Sequence, residues 1–342
     1  MIYRSRAPLR IGLAGGGTDV SPYSDLYGGA ILNVTVSLYA YATIELTDTP
    51  GIVVEALDRN EQEHYDWSDS LPINGKLDLL KGVYNRIQKD FPFPKTNFKL
   101  STYVDAPAGS GLGTSSTLVV AIIGAFMEML RLPMGEYDIA HYAYDIERKD
   151  LGLAGGKQDQ YAATFGGVNY MEFFADEKVI VNPLRIKQEY LNELEHNLVL
   201  YFTATSRESA VIIKEQQKNV EGKNERSIEA LHQLKDQARR MKDALLRGQL
   251  PEIGAILDYG FQHKKNMAAG ISNSLIDGIY DAAKQAGATG GKISGAGGGG
   301  FMTFYCPNNT RYKVMEALGK FGGQIRPYQV VQSGLNTWTT LT

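Results

Sequence analysis

The chain has 342 residues, and 35 Lys plus Arg stand against 38 Asp plus Glu, a formal net charge of −3. That balance leaves no basic excess to hold a nucleic-acid backbone, and the lone cysteine, Cys306, excludes an internal disulfide framework and a Cys-ligated zinc site and fits a reducing, cytoplasmic setting. The composition is that of an ordinary globular protein, two domains are expected at ~150 residues each, and the longest apolar stretch, Leu118–Met127, falls short of the ~20 residues of a membrane span.

Near the N-terminus, Arg4, Arg6 and the apolar Leu9–Ala14 imitate a secretory signal, but Arg10 interrupts the run and no leader is expected. Residues 30–48 alternate: Val34, Val36, Leu38, Ala40, Ala42, Ile44 and Leu46 fall on one side, Thr35, Ser37, Tyr39, Tyr41, Thr43 and Glu45 on the other. This predicts a half-buried strand. Ile52–Leu57 and Phe98–Val104 also read as strands, with a turn at Thr49-Pro50-Gly51, so the first third is expected to form an antiparallel sheet. Helices are predicted over Ser115–Leu130 and Met134–Lys149, then a short buried strand over Asn197–Thr203. Ile228, Leu231, Leu234, Ala238, Met241 and Leu245 recur at helical spacing, with Lys235, Asp236, Arg239, Arg240 and Lys242 as the solvated face. Ser274 and Asp277 have capping-box spacing before another helix, and Phe301–Tyr305 reads as a strand. Strands and helices mix without βαβ alternation, which predicts an α+β fold. The least compact stretch, 174–191, puts a domain boundary near residue 185, giving halves 1–185 and 186–342.

Glycines cluster in three loops: Gly12-Leu13-Ala14-Gly15-Gly16-Gly17-Thr18-Asp19, then Pro107-Ala108-Gly109-Ser110-Gly111-Leu112-Gly113-Thr114-Ser115-Ser116, then Lys292-Ile293-Ser294-Gly295-Ala296-Gly297-Gly298-Gly299-Gly300. A glycine loop lets a ligand approach backbone N–H groups closely. The second loop also opens a helix, whose free N–H groups and dipole make a phosphate cradle. Other nucleotide motifs fail. Gly291-Lys292 lacks the hydroxyl residue and leading glycine of a P-loop, and Gly295, Gly297 and Gly300 precede a strand where a dinucleotide fingerprint needs a helix. No G-x-S-x-G elbow is present, and the scattered His64, His141, His196, His232 and His263 predict no histidine metal site. After Glu147-Arg148 comes Gly155-Gly156-Lys157-Gln158-Asp159-Gln160. Asp159 either caps the following helix or orients and deprotonates an attacking hydroxyl. Glu147 with a loop serine suits Mg²⁺, which takes hard oxygen ligands.

In their order, these three motifs resemble those of the GHMP kinase superfamily, and the resemblance spans almost the whole chain. Within it, Leu9 through Asp19, Gly155 through Gly167 and Val181 through Lys187 resemble the D-glycero-D-manno-heptose 7-phosphate kinases. The resemblance implies an N-terminal domain like ribosomal protein S5 domain 2 and a ferredoxin-like C-terminal domain, with ATP between them. It implies a catalytic pair in Asp159 and Arg10. ATP binding is implied for Pro107, Gly109, Ser110, Gly111, Leu112, Gly113, Thr114, Ser115 and Ser116. Mg²⁺ ligation falls to Ser115 and Glu147, and substrate binding to Gly16, Gly17, Thr18, Asp19, Gly295, Ala296, Gly297 and Gly298. The implied activity is ATP-dependent phosphorylation of the anomeric C1 hydroxyl of a heptose 7-phosphate. An L-fucose kinase or other sugar 1-kinase, and a non-catalytic sugar- and ATP-binding regulator, are the alternatives. Implied partners are ATP and a phosphosugar, with a homodimer left open. For the 7-phosphate, His263-Lys264-Lys265 and Arg185 with Lys187 are candidates, although surface solvation is the plainer expectation for each.

Overall fold

A computed structural model describes residues 1–205 and 209–341. The strands are β1 (Ile2–Ala14), β2 (Gly29–Leu46), β3 (Ile52–Ala56), β4 (Glu61–Tyr65), β5 (Phe98–Val104), β6 (Val168–Phe173), β7 (Val179–Pro183), β8 (Leu198–Phe202), β9 (Gly290–Ile293), β10 (Phe301–Tyr305), β11 (Gln324–Ile325) and β12 (Asn336–Thr340). The helices are α1 (Tyr23–Tyr27), α2 (Asp78–Asp90), α3 (Thr114–Leu130), α4 (Glu136–Asp145), α5 (Gln158–Phe165), α6 (Gln188–Asn197), α7 (Ser209–Glu221), α8 (Glu225–Arg247), α9 (Ile253–Lys264), α10 (Ser274–Gln285) and α11 (Arg311–Gly319). The mixed α/β architecture agrees with the expected α+β class. Among the described residues, no helix is long and apolar enough to cross a membrane.

Strand β2 organises the first sheet, ordered β12-β1-β2-β5-β3-β4. Its first part, Gly29–Val34, pairs with β6, and its second part, Ala40–Leu46, pairs with β5. Burial follows this division. From Ala40 onward, Ala40, Ala42 and Ile44 are buried in alternation, whereas Gly29–Val36 is buried on both faces, with α3, α5 and α8 all packing on β2. The strict alternation in the sequence therefore understates the burial of Asn33 and Thr35.

The expectation of a purely antiparallel sheet fails at β3. The turn at Thr49–Gly51 closes no hairpin, because β5 lies between β2 and β3. The β3–β4 hairpin and the crossover helix α2 return the chain so that β5 runs parallel to β3. Two further details depart from the sequence reading. The predicted helix 134–149 divides into α4 and a wide π turn over Ile146–Asp150. At α10 the cap is Asn273, whose side chain accepts from Ile276 N at 3.0 Å, while Asp277 accepts from Ser272 Oγ at 2.7 Å.

The second sheet, β11-β8-β10-β9, is antiparallel. The change of sheet falls between β7 and β8. The last strand, β12, returns to pair with β1, so residues 336–340 of the second half lie in the first half's sheet.

Candidate active site

One cavity gathers the ends of β1, α3, α5, α9 and β9. The first glycine loop leaves β1 and turns at once, because Gly15 has φ +79° and a Cβ there would lie 2.0 Å from Ala30 O. Thr18 locks the turn. Its Oγ1 accepts from Ala30 N at 3.0 Å and lies 2.9 Å from Ala30 O, and the residue is wholly buried away from the cavity. Its expected contact with substrate is therefore replaced by a structural one, whereas Gly16, Gly17 and Asp19 line the cavity.

Asp19 caps α5 from outside that helix: its Oδ2 accepts from Lys157 N at 2.9 Å and Gln158 N at 3.1 Å. Burial, then the nearby Asp159, raises its pKa, against the pull of the Gln158 and Asp19 backbone N–H groups and Arg10. Close approach requires a glycine beneath it, since a Cβ on Gly156 would stand 1.9 Å from Asp19 Oδ2.

With the cap supplied by Asp19, Asp159 in the first turn of α5 makes no cap bond and faces the cavity. Arg10 holds it, with Nε donating to Oδ1 at 2.8 Å and Nη2 at 2.6 Å. The same guanidinium donates to Gly111 O, which ties the acid to the second glycine loop. Within that loop Gly109, Gly111, Gly113, Thr114, Ser115 and Ser116 line the cavity, with Gly111 and Gly113 at φ +85° and +80°. Ser110 and Leu112 are fully buried and do not line it, and the exposed Pro107 lies outside it.

The third loop divides similarly. Gly295 and Ala296 line the cavity, while Gly297 packs on Ile271 and Gly298 N donates to Ile271 O at 2.8 Å. A Cβ on Gly295 would sit 2.6 Å from Gly111 Cα, and Phe301 N donates to Ser110 O at 2.8 Å. This loop thus buttresses the second one, backbone against backbone.

Glu147 sits on the π turn, 1% exposed, yet reaches the cavity. Gln160 Nε2 donates to it and, at 3.1 Å, to Ser116 Oγ, and Arg148 lies 3.7 Å away. Burial raises the Glu147 pKa, with Arg148 and the hydrogen bonds opposing. The exposed Ser115, at the start of α3, shares the cavity wall.

Two lysines also reach the cavity: Lys264, a candidate for the sugar's phosphate whose plainer expectation was surface solvation, is 4% exposed, and Lys292, not among the expected site residues, is 6% exposed. A signal existed: Ile253, Leu257, Phe261 and Lys264 fall on one buried helical stripe, and Lys292 interrupts a small, apolar strand. Arg185 and Lys187 are exposed and off the cavity. Elsewhere, His141, expected to stand alone, meets Asp145 and Glu177 with ligand atoms within 4.8 Å. Lys149 pairs with both acids at 2.9 Å, so a cation already serves that cluster.

Comparison with known proteins follows the same geometry. The GHMP kinases N terminal domain family matches residues 78–167, which hold the second glycine loop and Asp159, and the GHMP kinases C terminal family matches residues 241–324, which hold both lysines and the third loop. The D-glycero-alpha-D-manno-heptose 7-phosphate kinase of Campylobacter jejuni is 47% identical over 98% of both chains. The crystal structure of a D-glycero-D-manno-heptose 1-phosphate kinase from Bacteroides thetaiotaomicron superposes with TM-score 0.85 at 46% identity, covering 99% of this chain and 100% of that one. A bifunctional fucokinase/GDP-fucose pyrophosphorylase of Arabidopsis thaliana is 26% identical over 90% of this chain and 30% of its own length. A helix-opening glycine loop tied through Arg10 to an acid on the facing helix, with both family matches around it, makes this chain a member of the GHMP kinases.

Proposed function

We propose that the chain transfers the γ-phosphoryl group of ATP to the anomeric C1 hydroxyl of D-glycero-D-manno-heptose 7-phosphate, giving the 1,7-bisphosphate and ADP. One observation carries the chemistry: Asp159 opens onto the cavity while Arg10 bonds it at 2.8 Å and also bonds the glycine loop at Gly111. The 47% identity to a heptose 7-phosphate kinase supports the choice of sugar.

Phosphoryl transfer depends on alignment and charge neutralisation more than on covalent help. The free N–H groups at the start of α3 take the triphosphate. Asp19, fixed by two backbone N–H groups, accepts hydrogen bonds from sugar hydroxyls and orients the ring. Asp159 accepts the C1 hydroxyl proton as that oxygen attacks the γ-phosphorus, the bond to the β-phosphate oxygen breaks, and ADP leaves. The donors beside the loop fit Mg²⁺: the Glu147 carboxylate is buried and reaches the cavity, and the Ser115 hydroxyl lines the same wall. These two residues would hold the ion, which supplies charge neutralisation on the phosphates.

A coupled ADP-release assay across heptose 7-phosphate, heptose 1-phosphate, free heptose, mannose and L-fucose tests the reading. The highest kcat/KM is expected with heptose 7-phosphate, with a new C1 phosphate by ³¹P NMR. A higher value with L-fucose or heptose 1-phosphate would replace the substrate, and no ADP release with any sugar would replace the enzyme by a regulator.

A further inference from the structure

Buried ammonium groups are normally paired, because removing a charge from water without a counter-charge is costly. Lys264 and Lys292 break that rule. Lys264 Nζ donates to the carbonyls of Ile293, at 3.4 Å, and of Gly295, and no carboxylate pairs with it among the described residues. Lys292 Nζ has no hydrogen-bond or ion-pair partner among the described residues. It stands 3.9 Å and 4.0 Å from where a Cβ would lie on Gly12 and Gly16, beside the loop that leads into Asp19. The other cations lining the cavity are already engaged, Arg10 with Asp159 and Arg148 with Glu147 at 3.7 Å and the Gly156 carbonyl.

We propose that Lys264 and Lys292 form the seat for the phosphate group that the acceptor sugar already carries, separate from the glycine loop that takes the nucleotide. This rests on the acceptor being a phosphosugar. The loop at α3 has its own N–H donors for the triphosphate, whereas Lys292 lies beside the loop leading to Asp19 and Lys264 on the carbonyls of the third loop. A neutral sugar offers nothing to offset two buried ammonium groups. A phosphate monoester, with its second pKa near ~6, brings the dianion that does.

Two measurements test the seat. In the first, kcat/KM is compared for heptose 7-phosphate and free heptose in Lys264→Met and Lys292→Met. Each loss of a charge-assisted hydrogen bond is expected to cut the preference for the phosphorylated sugar by ~10- to 100-fold, with KM for ATP moving less than threefold. An unchanged preference, or a rise confined to the KM for ATP, overturns the proposal. Wild-type protein that favours free heptose refutes the phosphosugar reading itself, before any variant is made.

The second measurement uses wild-type protein and holds even where a variant fails to fold. Burial pushes Lys264 down to about 8, Arg10 adding to the fall and Asp19 opposing it. Burial likewise holds Lys292 well below its usual value, with Lys264 and Arg10 adding to the fall. A bound dianion raises both, so heptose 7-phosphate is expected to bind at pH 8 with net proton uptake. Calorimetry in two buffers of different ionisation enthalpy reads the uptake, and its absence overturns the proposal.

Discussion

The wall built from the loop after β1, the π turn after α4 and the start of α5 carries Asp19, Glu147 and Asp159, and the wall built from α9, β9 and the third glycine loop carries Lys264 and Lys292. Every acid has its donors in place: backbone N–H groups for Asp19, Arg10 for Asp159, Gln160 for Glu147. The lysines do not. Lys264 rests on carbonyls, and Lys292 has no partner among the described residues. The acidic wall is pre-organised before any ligand arrives, which is what a site for bond-making needs. The lysine wall holds buried amines whose full charge a bound anion completes. On the proposed reading, the first wall aligns the sugar ring and the proton acceptor, and the second takes the phosphate that the acceptor already carries.

The largest expected effect breaks the acidic wall at its centre. Asp159→Asn keeps the shape and the start of α5 but removes the proton acceptor. A fall in kcat of ~10²- to 10⁴-fold is expected, with nucleotide affinity within a few-fold of wild type by titration with an ATP analogue. Near-normal kcat would remove Asp159 from the proton transfer and leave Arg10 holding a structural partner.

A smaller effect sharpens the division within that wall. Gly156→Ala puts a methyl where Asp19 Oδ2 now stands, at 1.9 Å, so the carboxylate must leave its two N–H donors. KM for the sugar is expected to rise ~10- to 100-fold, the scale of one or two charge-assisted hydrogen bonds. Asp19→Asn, which keeps the backbone, should raise it in the same direction. Steady-state kinetics that show an unchanged sugar KM in both variants would take Asp19 out of the sugar site.

The two walls also differed in how much the sequence revealed. The acidic wall is written in short-range signals: glycines where φ is positive, a loop opening a helix, acids beside glycines. Arg10, Asp19, Ser115, Glu147 and Asp159 all reach the cavity. Strands β2, β3, β5, β8 and β10 and helices α3, α4, α8 and α10 also follow from local signals, whereas β1, β6, β9, α2 and α9, among others, do not. What the sequence hides is long-range. The parallel β3–β5 pair depends on a crossover, and β12 joins β1 from the far end of the chain. Thr18, Gly297 and Gly298 share motifs with cavity residues, but their neighbours Ala30 and Ile271 take them. Lysine is read as solvated on composition, and only the meeting of α9, β9 and the first glycine loop buries Lys264 and Lys292.

The smallest expected effect tests whether recognition belongs to the cavity at all. Arg185 and Lys187, the other pair weighed for the sugar's phosphate, are exposed, and Lys187 lies over the Tyr190 ring at 5.4 Å and within 3.8 Å of Glu189. Cations in such a setting are screened by water and salt, with a Debye length of ~10 Å at 0.1 M. They also lie off the cavity. The double variant Arg185→Ala, Lys187→Ala is therefore expected to change KM for heptose 7-phosphate by less than twofold. A tenfold rise would move the phosphate seat to the surface beyond β7, and would leave the buried lysines needing another anion to complete their wall.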